Sequence, residues 1–245
     1  MKRWIAVGDR SEVPDWAVRY EEVATPSTLD VAADRRPDDL LLKYTGGTTG
    51  MPKGVMWTQE ELFRAMGQGG SALACLPPVE SLEELGSRIA SSAGPAQVAL
   101  MACPLMHATA LGNTFQLLPL GATIVLLEGR RFDPAELWSV VESAGVTWLT
   151  MVGDAFGRPL LEELEASCGR PDLSSLKIVY SAGVMWSQEV KDGMLRHLAP
   201  DVMLIDALGS SEAPGLGVSV STKDSSADTA VFTIGEMAQV ITGLG

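Results

Sequence analysis

Three observations predict an α/β fold, with a parallel or mixed β-sheet and helices packed on both faces. Short apolar runs alternate with helix-like stretches from Val98 onward. The runs are continuously apolar, as strands covered on both faces are. No Asp, Glu, Lys or Arg occurs between Arg88 and Glu128. Pro104, His107, Asn113, Gln116, Pro119 and Gly121 interrupt that stretch, so a buried strand-helix-strand unit explains it better than a membrane span does.

The apolar runs place strands at residues 98–102, 123–127, 147–152, 177–180 and 202–205. Asp133-Pro134-Ala135-Glu136 opens a helix between two of them. Asp is its N-cap, Pro sits in the first turn, and Leu137, Val140 and Val141 share one face. Ser187-Gln188-Glu189 opens another helix that runs toward His197. Strand, helix and strand repeated this way make a parallel sheet with helices packed on it. The first forty residues are polar and acidic, with one short strand at 4–7. Residues 77–95 read as a helix in an exposed loop bearing Glu80, Glu83 and Glu84. Residues 219–228 read as a loop, and 230–234 with 237–241 as a hairpin turning at Gly235-Glu236.

Bulk properties narrow the function. The chain has 245 residues, 46% hydrophobic and 20% charged, enough for a sizeable buried core. A net charge of −13 argues against a nucleic-acid partner, which needs a basic face. It does not exclude a small anion held by backbone N–H groups and a lysine. Cys75, Cys103 and Cys168 are scattered and odd in number, without a CxxC spacing. That pattern fits neither a disulfide framework nor a zinc site and suits a reducing cytoplasm. The apolar run at residues 4–7 is too short for a signal peptide. Cys103 lacks a His-Asp setting and is expected to be structural.

The chemistry is concentrated in Leu41-Leu42-Lys43-Tyr44-Thr45-Gly46-Gly47-Thr48-Thr49-Gly50-Met51-Pro52-Lys53-Gly54-Val55. An apolar run enters a loop of Gly and Thr and leaves through a single Lys. Glycines let backbone N–H groups turn toward one point, threonines add hydroxyl donors, and Lys53 adds a point charge. Such a loop suits a polyphosphate. It is not a Walker A motif, because Gly54 follows Lys53 where Ser or Thr would be required.

Thr45 to Gly54 resembles the signature phosphate loop of the adenylate-forming superfamily: acyl- and aryl-CoA synthetases, luciferases and the adenylation domains of peptide synthetases. Gly46 stands where the family usually has Ser. Three further segments resemble the family's motifs in the family's order. Pro104-Leu105-Met106-His107 resembles the segment whose His lines the carboxylate site. Ser181-Ala182-Gly183-Val184-Met185 resembles the Gly-rich turn bordering the adenine and acyl pockets. Asp206-Ala207-Leu208-Gly209-Ser210-Ser211-Glu212 resembles the motif whose Glu holds Mg²⁺.

The resemblance implies an acyl-CoA synthetase of fatty-acid or steroid side-chain type, using ATP, Mg²⁺ and CoA. His107, Lys53 and Glu212 would be catalytic, with Glu212 the metal ligand. Thr45, Gly46, Gly47, Thr48, Thr49, Gly50, Lys53, Gly183, Asp206, Ala207, Leu208, Gly209 and Ser211 would bind the nucleotide. Leu208 replaces the aromatic residue that stacks on adenine, forgoing roughly 0.5–1.5 kcal/mol. Met101, Met106, Met151, Met185 and Trp186 divide between acyl-tunnel lining and core packing.

The implied organisation is an N-terminal remnant at 1–40, a nucleotide- and acyl-binding core at 41–212, and a loop with the start of a β-rich subdomain at 213–245. No Thr-Gly-Asp ribose segment, Arg-bearing hinge or C-terminal lysine motif follows Glu212. The resemblance therefore covers part of the family's N-terminal domain without the lid domain, and the 245-residue chain alone is expected to be inactive. A module loading a carrier protein and a non-catalytic ATP-binding module are the alternatives. Neither a nucleic acid nor an integral membrane segment is expected, and homo-oligomerisation is left open.

Overall fold

A computed structural model describes residues 4–6, 13, 15–24, 36–45, 51–66, 71, 75–91, 97–129, 131–166, 169, 171–225, 227–235 and 238. The chain divides into two units, Met1–Pro37 and Asp38–Gly245. In the first unit β1 (Trp4–Ala6) pairs in parallel with β2 (Ala17–Arg19), which runs into the short helix α1 (Tyr20–Val23).

The second unit opens with an antiparallel hairpin of β3 (Leu40–Thr45) and β4 (Lys53–Thr58). Its cross-strand partners run from Leu40 opposite Thr58 to Thr45 opposite Lys53. Helix α2 (Gln59–Ala65) follows at once, because Thr58 and Glu61 form a reciprocal capping box. Helix α3 (Leu82–Ser91) buries none of its residues, in keeping with its acidic sequence.

The remaining strands are β5 (Val98–Met101), β6 (Thr123–Leu126), β7 (Trp148–Met151), β8 (Ile178–Ala182), β9 (Met203–Leu208), β10 (Gly217–Ser221) and β11 (Thr233–Ile234). They form one mixed sheet in the order β11-β10-β9-β8-β7-β5-β6. Strands β5 to β9 are parallel, and β10 and β11 add antiparallel to the edge. The connecting helices are α4 (Ala108–Leu117), α5 (Pro134–Ala144), α6 (Gly153–Ala166) and α7 (Gln188–His197). Strand order reverses between β5 and β7, the kind of switch point beside which open α/β sheets bind ligands.

Two cores cover the two faces. One joins Leu137, Trp138 and Val141 of α5, Leu160 and Leu164 of α6, and Val190 and Met194 of α7 to Leu149, Val179 and Leu204 of the sheet. The other joins Ala110 and Leu117 of α4 to Ala99, Met101, Trp148 and, at its margin, Ile178 and Tyr180. Asp133 caps α5 as its sequence predicts, its Oδ1 accepting from the Ala135 amide at 2.9 Å. Met151 and Trp186 are core residues with no exposed surface. Met106 is 86% exposed and is not a core residue.

One expectation for the tail needs correction. Residues 217–221 form β10, where 219–228 had read as loop. Ser219 and Ser221 are the reason. Both are buried against the α7 face of the sheet, so the strand carries polar residues on its inner side and valines on its outer side. Strand β11 pairs with Gly217 and Val218 of β10. Of the second expected hairpin strand, residues 237 and 239–241 lie outside the described residues.

Gly153 joins β7 to α6 in a left-handed conformation, φ +49°. A Cβ there would lie 2.5 Å from the Met185 carbonyl oxygen and 2.6 Å from that of Val184. Its amide donates to Ser181 Oγ at 2.8 Å. Gly153→Ala is expected to lower unfolding stability by about 2 kcal/mol or more, read by urea denaturation. An unchanged midpoint would show that the close approach does not exist.

Candidate functional site

The hairpin presents two different faces. Leu40, Leu42, Tyr44 and Met56 are exposed on one. Leu41, Lys43 and Thr45 share the other with Lys53, Val55 and Trp57, as the period of two dictates. From that face Trp57 Nε1 donates to the Ser211 carbonyl at 3.0 Å, a bond spanning 154 residues of sequence. Lys43 feels two opposing influences. Partial burial pulls its ammonium below the usual lysine range, and the Glu212 carboxylate pushes it back up. Thr45 Oγ1 donates weakly to the Lys53 carbonyl at 3.4 Å, at the end of the hairpin where the connecting loop begins.

His107 begins α4 as its N-cap. Its Nδ1 accepts from the Thr109 amide at 3.2 Å, so the ring proton sits on Nε2. Burial first, and the Lys43 charge second, hold the imidazole below its usual range and favour the neutral form. The ring edge leans on the turn after β8: a Cβ on Gly183 would meet His107 Cε1 at 3.4 Å. Gly183 itself takes φ +93°. Thr109 Oγ1 donates to the Ala182 carbonyl at 3.3 Å, and Asp154 Oδ1 accepts from the Ser187 amide at 2.9 Å. The turn is thus held from both faces of the sheet.

After β9 the chain folds back on itself. Ser210 Oγ accepts from the amides of Glu212 (3.3 Å) and Ala213 (3.1 Å), and the Leu216 amide returns to the Leu208 carbonyl at 2.9 Å. Two chambers flank this end of the sheet. One, of about 310 Å³, lies on the α4 side and is lined by residues including His107, Asn113, Tyr180, Ala182 and Ala207. The other, of about 250 Å³, is lined by Val184, Met185, Asp206, Ala230 and Phe232 among others. Gly183, Ala207, Leu208 and Gly209 border both.

The structure brings together Thr45, Lys53, His107, Gly183, Ala207, Leu208, Gly209, Ser211 and Glu212 around the hairpin's inner face and the carboxyl edge of the sheet. Gly46, Gly47, Thr48, Thr49 and Gly50 lie outside the described residues. Asp206, expected to bind the nucleotide, lines the second chamber. It points to the buried side of the sheet, opposite Ser219 and only 4% exposed. Sequence reasoning missed Lys43, Trp57, Asn113, Tyr180 and Asp154. Alternation along β3 and β4 is the signal that finds Lys43 and Trp57, since both share a face with Lys53. Nothing local in the sequence marks Tyr180. Cys103 fits its structural reading: it is buried, and burial pushes its thiol up to about 11. No cluster of three potential metal ligands occurs among the described residues.

A doubly wound sheet with paired chambers at its carboxyl edge defines a ligand-binding α/β domain. The chain belongs to the AMP-binding enzyme family, whose model matches residues 2–240. It is 37% identical to a medium/long-chain-fatty-acid–CoA/3-oxocholest-4-en-26-oate–CoA ligase of Mycolicibacterium smegmatis, over 78% of this chain and 34% of that protein. It is 36% identical to the medium-chain acyl-CoA ligase Mig of Mycobacterium avium, over 85% of this chain and 38% of that protein. The chain thus spans little more than a third of these relatives. Among solved structures it resembles the inhibitor-bound N-terminal domain of FACL13 from Mycobacterium tuberculosis, with TM-score 0.60 and 18% identity over 87% of this chain and 50% of that one. It also resembles McyG A-PCP complexed with phenylalanyl-adenylate, with TM-score 0.63 and 20% identity over 83% of this chain and 31% of that one.

Asp206 gives the fold a pH signature. Burial pushes its carboxyl up to about 6, while the Lys191 charge pulls it down and Asp154 pushes it up. Lys191 on α7 is itself 1% exposed and donates to the Ala227 carbonyl at 3.4 Å. Folded Asp206 holds its proton more tightly than the unfolded residue, whose value is 3.8. Its contribution to stability is complete below the unfolded value and is lost as pH rises through about 6. This group alone should make the fold about 1.4 kcal/mol more stable at about pH 5 than at about pH 7.5. Asp206→Asn should remove that increment from the difference between the two urea titrations. An unaltered difference would contradict the burial assigned to the carboxyl.

Proposed function

We propose that this chain supplies the ATP- and acid-binding core of an AMP-forming acid–thiol ligase acting on a fatty or related carboxylic acid. The observation that carries this reading is convergence. The hairpin with Lys53 and Lys43, the His107 cap and the Glu212 loop meet beside two chambers that share Gly183 and Gly209. Identity of 36–37% to CoA ligases supports CoA as the final acceptor over a carrier protein, whose adenylation structure is 20% identical. No helix among the described residues is long and apolar enough to cross a membrane.

In this reading an oxygen of the acid's carboxylate attacks the α-phosphorus of ATP. The bond to the β-phosphate oxygen breaks and pyrophosphate leaves with the electron pair. The CoA thiolate then attacks the acyl carbon and displaces AMP. Neutral His107 offers its Nε2–H to the acid's carboxylate and orients it without a competing charge. Lys53 and Lys43 supply two cations for the phosphates from one face of the hairpin, and the Gly- and Thr-rich sequence between Thr45 and Lys53 has the donors that suit them. Positioned positive charge is most of what a protein contributes to such a transfer. Glu212 is a single exposed carboxylate, which fits Mg²⁺ held mainly by phosphate oxygens and water rather than by a protein cage. That ion would neutralise phosphate charge. Leu208 covers the base from the sheet's edge, and Gly183 and Gly209 let the nucleotide approach the backbone.

Calorimetric titration of the chain with ATP tests the reading. Mg²⁺ should tighten binding about tenfold, and Glu212→Gln should abolish that gain while leaving metal-free binding intact. Lys53→Ala should weaken ATP about tenfold in both conditions. Absence of binding, or binding indifferent to Mg²⁺, would refute it.

A further inference from the structure

The chamber on the α4 side has a polar floor that the activation chemistry does not use. Asn113 and Tyr180 both line it. Trp148 Nε1 donates to Asn113 Oδ1 at 3.0 Å, and Thr150 Oγ1 donates to the same oxygen at 3.1 Å. An indole N–H can only donate, so it fixes the amide with its oxygen toward Trp148 and its nitrogen away. Burial pushes the Tyr180 phenol above its usual range, and the neighbouring Asn113 amide works against that rise. The Trp148 ring stacks on the phenol with centroids 5.9 Å apart and planes at 26°, which restrains it further.

The Asn113 oxygen is already taken by Trp148 and Thr150. Among the described residues none takes the Tyr180 O–H in a hydrogen bond, and Tyr180 lines the chamber. Tyr180 sits three residues before Gly183 on β8, about 10 Å along the strand at the usual rise. A donor is therefore fixed well below the turn where His107 meets the acid's carboxylate. A plain methylene chain lying there would expel water and leave the O–H unpaired, an outcome that costs more than a made bond gains.

Resting on the ligase reading above, we propose that Tyr180 selects an acid bearing a hydrogen-bond acceptor oxygen, ketone, ether or hydroxyl, partway along its carbon chain. Asn113, Trp148 and Thr150 are positioning residues for that contact. Trp148 and Thr150 hold the Asn113 amide, Trp148 also restrains the phenol ring, and none needs to touch the acid's carboxylate.

The test compares octanoate with oxo-octanoates bearing the ketone at carbon five, six or seven. Each is titrated into the 245-residue chain and followed by tryptophan fluorescence, since Trp148 lies against the phenol. AMP is titrated in parallel. At least one oxo-acid should bind about tenfold more tightly than octanoate. Tyr180→Phe should bring the acids within about twofold of each other and leave AMP affinity unchanged. Equal affinities in the wild-type chain, or a preference that survives in Tyr180→Phe, would overturn the selection. If AMP still binds in that event, the ligase reading stands and only the substrate inference falls. Loss of both acid and AMP binding to the wild-type chain would overturn both.

Discussion

One hydrogen bond decides whether this molecule has a site at all. Trp57 reaches from β4 to the Ser211 carbonyl in the loop after β9. Among the described residues the hairpin that bears Lys43 and Lys53 pairs only with itself in the strand ladder. A two-stranded ribbon is marginal on its own. Without a tie to the large sheet its cations would have no fixed relation to Glu212. The indole N–H supplies that tie. Once the ribbon is seated, Lys43 comes under the field of Glu212, and His107 under the field of Lys43.

The large sheet contributes rigidity where the ribbon contributes charge. Strand order reverses between β5 and β7, and the loops after β5, β8 and β9 carry the site. Two glycines shape those loops for different reasons. Gly183 takes a conformation that side chains disfavour, and Gly209 lies where a Cβ would crowd the backbone of Ala213 and Gly215. Opposite faces of the sheet then open into separate chambers that share these glycines. A ligand with two unlike ends can straddle the edge, one end on each side.

Much of this was legible in the amino-acid sequence, and the illegible part has a physical pattern. The five parallel strands announced themselves because burial on both faces demands uninterrupted apolar residues. Asp133-Pro134 announced α5 because caps act locally. His107, Gly183 and the Gly209–Glu212 stretch were visible as motifs, and all border the same edge. Strand β10 was hidden because Ser219 and Ser221 are buried polar residues, and composition reads serine as loop. The fate of the Asp206 side chain was hidden too. Its face is set by register against β10, which no local feature encodes. Tyr180 became interesting only through Asn113 and Trp148, partners 67 and 32 positions earlier in the chain.

The central claim is that the Trp57 indole is bonded across to the loop of Glu212. Proton exchange at indole nitrogens, followed by nuclear magnetic resonance on nitrogen-labelled chain, reads that bond directly. The Trp57 signal, assigned from Trp57→Phe, should exchange at least about tenfold more slowly than free tryptophan. Exchange at the free rate would mean that the hairpin and the loop are not joined, and the site described above would not exist as a unit.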